Sequence, residues 1–534
     1  MRDLDDKALD QEKHVVTIDA KDADIGAALV TGESALVDAA EGLRIRRKID
    51  KHILPLMCIL YLCVMNSTSL VEGYETNDLD ASIQAVDKNT LGYSAILGMR
   101  TSAHLTVNQY NWLGTIFFLS YFAFEYPQNL ALQRFPVGKW MTLNILVWGV
   151  VLICHAACTS FAGLFVVRLI LGMCEGSVTA GFMITNSMFW TRDEQIVRIG
   201  LWYGMTGLAQ IVGGFLSFGS LHIHTGAFEP WQWLMAITGI LTILTAVAFY
   251  CYYPDSPANA WFLNEEERIA AIQRVKGNQT GVENKHFKKQ QLIETLTDPK
   301  TWLFGFYALL CGASTGGLAF QRQIIVSSFG FSNLQTTLLG CVDGVIQIVA
   351  IYIGVELASR IPNSRGWLAM AFYIPNILGA LLVNLLPWGN RVGLLFAVWL
   401  TDINATTFVL VLIWVGQTTA GHTKKVTTNA IVFGGDCLGA AVAQFLWQAK
   451  YSPRNHIPWI VTGVMYVLAL GTLLANRTLL DLRNKHRATV PHNDAYEDVH
   501  VVRLGEDGKH VEVKVAKEFL DLTDKQNSDF RYAL

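Results

Sequence analysis

Charged residues inside apolar stretches are the positions of this chain that could do chemistry. Arg168 and Glu175 stand seven residues apart in one such stretch, so on a helix they share a face. An arginine holds a carboxylate through paired hydrogen bonds, and a buried glutamate can take up and release a proton. The spacing therefore predicts either an anion site at Arg168 with proton coupling at Glu175, or two structural residues that pair with each other's neighbours and keep the helices in register.

Further charges occupy comparable positions in the first half of the chain. Lys88 could attract an anionic substrate into a cavity that Tyr93 helps to wall. Asp87 could neutralise Lys88 when the cavity is empty, and with Glu175 it is a candidate for proton coupling. The alternative is a helix end whose lysine reaches toward water. Glu125 stands near Arg134, and a structural gate pair is the favoured interpretation there, ahead of substrate contact.

The second half carries one arginine and three acids in apolar surroundings. Arg322 follows Thr315-Gly-Gly317, a glycine pair that suits an unwound helix beside a binding site. With Asp343, Asp402 and Asp436 it could form a network that contains protonatable members, or a site for a substrate amine. Alternatively, Asp343 only pairs with Arg322, and the other two acids lie near helix ends.

These charges must be positioned by membrane-spanning helices. Crossing the ~30 Å hydrocarbon layer takes about 20 apolar residues. The chain is 52% hydrophobic and only 16% charged, against about 25% charged in a soluble domain. A first span begins at Ile53, and the others are predicted at 109–131, 139–158, 161–183, 198–220, 231–253, 302–322, 335–358, 366–386, 392–416, 425–447 and 458–477. The pattern predicts an all-α membrane protein with about twelve transmembrane helices.

The distribution of Lys and Arg predicts the orientation. One set of short loops holds Arg134, Lys139, Arg360 and Arg365, and such loops stay in the cytoplasm. Both termini are therefore expected to be cytoplasmic. The predicted divisions are a tail (1–51), a six-helix half (52–253), a connector with an amphipathic helix around Glu265–Val275 (254–301), a second six-helix half (302–477) and a second tail (478–534).

An internal repeat supports two matched halves. The pattern R-x-P-x-x-[K/R] occurs at 134–139 and again at 360–365, and the same offset carries Arg198 onto Lys424. Two six-helix halves in parallel are the expected arrangement of the major facilitator fold, whose substrate site lies at the midplane between the halves.

The sequence resembles the fungal allantoate permease-like group of the anion:cation symporter family, within the major facilitator superfamily. The likeness extends over about residues 45–480. The segments that carry it include 48–55 (KIDKHILP), 86–94 (VDKNTLGYS), 125–127 (EYP), 133–139 (QRFPVGK), Arg168-x-x-x-Gly172-x-x-Glu175, 207–214 (GLAQIVGG), 254–257 (PDSP), 277–285 (GNQTGVENK) and 420–425 (AGHTKK).

This resemblance implies proton-coupled import of a small organic anion, such as a carboxylate, ureide or vitamin-like acid, across the plasma membrane. It supports Arg168 and Glu175 as functional, and it adds a latch in which Arg134, Lys139, Arg360 and Arg365 pair across the halves. We expect a monomer whose partners are the substrate, protons and the bilayer. An exporter of a secondary metabolite and a non-transporting nutrient sensor are the alternatives.

One segment departs from this pattern. The apolar run Ile53–Met65 is too short to cross a bilayer alone, and the polar residues 66–85 follow it. The segment is either a retained intron in the gene model or a genuine insertion that makes the first span discontinuous.

Other function classes lack their signatures. The sequence contains no GxxxxGK[ST], HExxH or G-x-S-x-G motif, so neither an enzyme nor an ATP-driven pump is expected. None of the nine cysteines forms a CxxC pair, and we expect neither a metal nor a cofactor. The net charge of −3 gives no indication of nucleic-acid binding. In the second tail, His500-Val-Val-Arg503 and Val511–Val515 could form a small hairpin.

Overall fold

The apolar segments predicted from the sequence form long helices. The computed structural model describes residues 16–19, 38–69, 105, 107–221, 230–276, 278, 286–331, 333–443, 445–451, 454–489, 499–504, 510–514 and 520–534. Its α-helices are α1 (Ala39–Ser69), α2 (Val107–Arg134), α3 (Val137–Ala157), α4 (Phe161–Phe189), α5 (Arg192–Leu221), α6 (Pro230–Tyr252), α7 (Glu265–Lys276), α8 (Lys289–Leu296), α9 (Pro299–Ser328), α10 (Asn333–Arg360), α11 (Arg365–Ala371), α12 (Tyr373–Leu385), α13 (Arg391–Leu400), α14 (Asn404–Thr418), α15 (His422–Ala443) and α16 (His456–Thr489).

These helices make twelve long segments within the described ranges, because α11 with α12, and α13 with α14, each form one segment. Eight of the twelve are long and apolar enough, by length and composition alone, to cross a membrane. The predicted fold class, an all-α bundle of about twelve membrane helices, is confirmed. The side on which the termini lie stays a prediction.

Two segments extend beyond their predicted bounds. Helix α1 begins at Ala39 rather than near residue 52, and α16 continues to Thr489 rather than ending at 477. The added turns are charged and remain helical because ion pairs hold them. Lys48 lies 2.6 Å from Glu267 on α7, and Arg483 lies 2.7 Å from Asp298.

The two halves meet most closely where α5 crosses α10. A Cβ built at Gly207 would lie 2.5 Å from the carbonyl oxygen of Gly344, and one at Gly344 would lie 2.4 Å from that of Gly207. Side chains at either position would therefore push the two backbones apart. A second contact between halves joins α2 to α15.

The internal repeat is visible as a pair of equivalent ion pairs. Arg198, at the start of α5, lies 2.5 Å from Asp50 on α1. Lys424, at the start of α15, lies 3.1 Å from Asp298, which directly precedes α9. In each half, a basic residue near the start of the fifth long segment thus binds an acid that shortly precedes the apolar part of the first.

The connector between the halves supplies two short helices. The predicted amphipathic helix is confirmed as α7, which is tied to the first half through Arg274 and Glu194. Helix α8 packs against α15 in the second half. We call the end of the bundle on which these helices lie the connector end.

The terminal segments contribute a small sheet. Strand β2 (Val499–Leu504) pairs antiparallel with β3 (His510–Lys514), which confirms the predicted hairpin. Strand β1 (Val16–Asp19) pairs parallel with β2, so the two terminal segments meet. Helix α1 continues to Ser69, into the anomalous polar stretch, and the rest of that stretch lies outside the described residues.

Candidate functional site

Arg168 lies in a contact between three helices of the first half. It is buried on α4, and its Nε donates to Nε2 of His155 on α3 at 3.2 Å. The His155 ring meets Trp231 of α6 edge to face. This geometry fixes the position of the guanidinium, and its predicted role in holding a substrate carboxylate stays a prediction.

Glu175 and Glu125 lie at the interface of α4 and α2. Both carboxylic side chains are buried. The helices approach closely, since a Cβ built at Gly176 would lie 2.5 Å from Oε2 of Glu125. Glu125 also accepts a hydrogen bond from Asn129 at 2.7 Å. The predicted gate partner, Arg134, is exposed at the C-terminal end of the same helix, α2.

These two acids belong to a cluster that both halves build. Tyr121 on α2 lies within electrostatic range of Glu125, Glu175 and Asp436, and Asp436 is on α15 of the second half. We call these four residues the acidic cluster. Like charges repel strongly in a medium of low dielectric constant, so carboxylates grouped in this way respond to cations and protons that reach them.

A second charged group lies inside the second half. Arg322 on α9 places Nη1 3.1 Å from Oδ1 of Asp343 on α10, and Nη2 3.1 Å from Oδ1 of Asp402. Nη1 also donates to the Val398 carbonyl and Nη2 to the Thr401 hydroxyl, both at 3.3 Å. We call Arg322, Asp343 and Asp402 the ionic triad. The pairing of Arg322 with Asp343, one of the two alternatives open from the sequence, is present, and Asp402 joins it.

The helix break near the triad is not where the sequence suggested. Helix α9 is continuous through Thr315–Gly317, and a Cβ at Gly316 would lie 2.6 Å from that of Ala440 on α15. The glycine therefore serves close packing and not unwinding. The break is instead the 3₁₀ turn Thr401–Ile403 between α13 and α14, which carries Asp402.

Three tyrosines missed by the sequence analysis extend the polar interior of the second half. The ring centroids of Tyr307 and Tyr373 are 6.2 Å apart, and those of Tyr373 and Tyr466 are 5.8 Å apart. Tyr466 lies within electrostatic range of Arg322 and Asp402. Each tyrosine stands in an apolar run, so sequence alone does not separate it from an interfacial aromatic residue.

The four basic latch candidates differ in their surroundings. Arg365 is buried and lies 4.0 Å from Asp193 of the first half, so this pair spans the halves. Arg360 is exposed and bonded to Glu356 of its own helix. Lys139 is also exposed, as is Arg134. The remaining predicted site residues, Asp87, Lys88 and Tyr93, lie outside the described part of the chain.

At the connector end, the sequence analysis missed a buried ionic cluster. Lys424 lies 2.7 Å from Glu294, 3.1 Å from Asp298 and 2.9 Å from Asp524, and Lys300 lies 3.0 Å from Asp524. Burial alone would raise the pKa of the Asp524 carboxyl, but the two lysines outweigh it and hold that pKa well below its usual value. No motif marks these pairs, because their members are far apart in sequence.

Comparison with known proteins agrees with this architecture. A family model described as Major Facilitator Superfamily matches residues 81–444. The thiamine pathway transporter of Saccharomyces cerevisiae is 33% identical over 94% of this chain and 89% of its own. The allantoate permease of the same yeast is 28% identical over 93% and 88%. The solved proton:xylose symporter XylE superposes with a TM-score of 0.61 at 11% identity, over 80% of this chain and 96% of its own.

Proposed function

The chain belongs to the Major Facilitator Superfamily, and we propose that it imports a small organic anion together with protons across the plasma membrane. It is a multi-pass membrane protein and a secondary transporter of small organic substrates, as its yeast relatives are. The anion, the proton and the inward direction are our proposal. Alternating access would rock the two halves about the site between them.

The observation that supports proton coupling best is the acidic cluster. Glu125 and Glu175 are 1% and 2% exposed, and Asp436 of the other half lies, like them, within electrostatic range of Tyr121. Charged side chains in the membrane interior cost about 2.5–3.5 kcal/mol each on insertion scales, and they are retained where protons or ions move. Because the cluster bridges α2 and α15, a proton on one carboxyl changes the electrostatic repulsion between the halves.

The nature of the substrate is supported by a buried cation and by the relatives. Arg168 is a buried guanidinium group in the first half, and guanidinium groups bind carboxylates in a paired geometry. Among the relatives, an allantoate permease and a high affinity cysteine transporter are 28% and 27% identical to this chain. Both names refer to small molecules that carry a carboxylate.

Uptake by cells that lack their own permeases tests the proposal. The panel contains labelled allantoate, cysteine, nicotinate and pantothenate, each with and without a protonophore. We expect uptake of at least one acid that the protonophore abolishes and that Arg168→Ala and Glu175→Gln reduce by about tenfold. The matched control is Glu266→Gln, an exposed acid on α7, which should leave uptake unchanged.

Several results would contradict parts of this proposal. Uptake that is indifferent to the protonophore would remove proton coupling. Full uptake in Arg168→Ala would remove that residue from the substrate site and leave it as a structural partner of His155. Loss of preloaded substrate, with no uptake, would identify an exporter.

A further inference from the structure

Both carboxylates of the ionic triad pair with Arg322, and they would repel an anion that approached it. We propose that the ionic triad is a second proton-binding site and that Asp402 is the group in it that takes a coupling proton. This inference rests on the proton coupling proposed above and adds a site in the second half to the acidic cluster.

The charges of the triad support this assignment. One guanidinium and two carboxylates sum to one negative charge when both acids are ionised, and a single proton makes the triad neutral. The Arg322 and Asp343 side chains are 9% and 5% exposed. An uncompensated charge in such surroundings is costly, whereas a neutral group is not.

The geometry selects Asp402 as the acceptor. Its Oδ1 contacts Arg322, while its Oδ2 is buried and has no hydrogen-bond partner among the residues that the structure describes. A buried carboxylate oxygen without a partner is costly unless a proton or a ligand satisfies it. The Asp402 side chain is also the most exposed of the three, at 15%, so a proton can reach it first.

The other polar groups around the triad do not replace this acceptor. Thr401 donates its hydroxyl to the Val398 carbonyl at 2.6 Å. Tyr466 of α16 is the phenol within electrostatic range of Arg322 and Asp402, and its proton remains on the phenol at physiological pH. The titratable groups that face one another here are therefore Arg322, Asp343, Asp402 and Tyr466.

The proposed step links protonation to helix movement. One O–H bond forms at Oδ2 of Asp402 as the proton arrives from water, and the charge-assisted contact between Arg322 and Asp402 weakens. Arg322 stays paired with Asp343, so α9 remains bound to α10 while its tie to the turn between α13 and α14 loosens. Release of the proton restores the tie. The two protonation states thus favour different arrangements of the second half.

Two transport measurements, exchange of labelled for unlabelled acid and accumulation driven by a proton gradient, distinguish a role in proton binding from a structural one. The purified full chain is reconstituted in liposomes with whichever labelled acid of the panel shows protonophore-sensitive uptake. We expect Asp402→Asn to keep exchange of labelled for unlabelled acid within about twofold, and to lose about tenfold or more of the accumulation driven by a proton gradient. Asp402→Glu should restore accumulation. Glu266→Gln, the exposed acid on α7, is again the control for both modes.

The outcomes distinguish this inference from the proposed function. Gradient-driven accumulation by Asp402→Asn at the wild-type level would overturn the assignment. So would loss of both modes in a variant that purifies as a folded monomer, because the residue would then be needed for translocation and not for the proton. Wild-type transport without any proton dependence would refute the proposed coupling itself.

A second inference comes from residues 520–534, which we call the C-terminal strap. The strap binds both the connector and the second half. Asp521 lies 2.9 Å from Lys288 and 3.0 Å from Nδ1 of His422, and Asp524 joins the buried lysines described above. Near its end, the Ala533 carbonyl accepts a hydrogen bond from the Trp414 indole at 2.8 Å.

The strap also reaches the first half. The guanidinium of Arg192, at the start of α5, lies 4.6 Å from the centre of the Phe530 ring. Beside it, Gln417 of the second half donates to the Arg192 carbonyl at 2.7 Å. Alternating access requires the halves to separate at each end in turn. The contact between Phe530 and Arg192 must then break whenever the connector end opens.

We infer that the C-terminal strap is a latch that holds the connector end closed. A cation–π contact of this kind contributes about 0.5–2 kcal/mol, so its loss should favour the open state. We expect deletion of residues 520–534, and Phe530→Ala in the full chain, to raise the initial uptake rate per folded molecule by about twofold or more.

The matched control for the latch is Arg531→Ala, because Arg531 is exposed and bonded to Ser528 within the strap. It should leave the rate unchanged. If the deletion impairs folding, Phe530→Ala still tests the inference, because it leaves the ion pairs of Asp521 and Asp524 in place. An unchanged or lower uptake rate in folded Phe530→Ala protein would overturn the inference that the C-terminal strap holds the connector end closed.

Discussion

Asp298 holds together the buried ionic cluster at the connector end, and replacing it should unfold the protein more easily. Its carboxylate is fully buried, 3.1 Å from Lys424 and 2.7 Å from Arg483. Asp298→Asn keeps the shape but removes the charge. Breaking a buried ion pair by removing one partner costs about 3–5 kcal/mol, because the other charge stays desolvated. We expect about 3 kcal/mol, the low end, because Glu294 and Asp524 still face Lys424.

The measurement is thermal unfolding of the purified full chain in detergent at neutral pH. The control is Asp481→Asn on α16. Asp481 lies 2.8 Å from Lys485, whose side chain is 72% exposed. Such a surface pair contributes about 0–1 kcal/mol. A double variant with Lys424→Gln should lose less than the sum of the two single variants, since the residues are in contact. If Asp298→Asn lost no more stability than Asp481→Asn, the argument from burial would be wrong.

Three further predictions follow from the same geometry. Burial alone would raise the pKa of Asp298, but the neighbouring cations outweigh burial and keep this pKa below its usual value. The stability that the ionised carboxylate contributes is therefore present above about pH 4 and is lost as the pH falls through the folded-state pKa. Measuring thermal unfolding as a function of pH in the acid range tests this. Gly344→Leu should abolish uptake by forcing α5 from α10, whereas Gly389→Ala, which has open space around it, should not. His155→Ala should destabilise the protein by about 1.5–3 kcal/mol in thermal unfolding, because it leaves the Nε donor of Arg168 without this acceptor.

Features encoded by local periodicity were predictable from the sequence. The long apolar segments, the amphipathic helix α7 and the hairpin of β2 and β3 each follow from the spacing of residues within about 30 positions. The pairing of Arg322 with Asp343 was also predictable, because a buried arginine needs an acid and few were available in that half.

Features that depend on contacts distant in sequence were not predictable. The turn at Thr401–Ile403 contains neither glycine nor proline, so nothing local marks it. The C-terminal strap resembled an ordinary charged tail. Asp524 is held as a buried anion by Lys300, 224 positions earlier, and by Lys424, and no local pattern brings these residues together.

The repeated ion pairs show why the two halves are not equivalent at the connector end. In the first half, Arg198 and Asp50 are 11% and 25% exposed, so water weakens their attraction. In the second half, the equivalent residues Lys424 and Asp298 are fully buried, and Asp524 of the strap completes their surroundings. The strap is therefore bound firmly to the second half and weakly, through Phe530, to the first. Because the weaker bond breaks first, opening at this end should release the first half from a strap that stays in place.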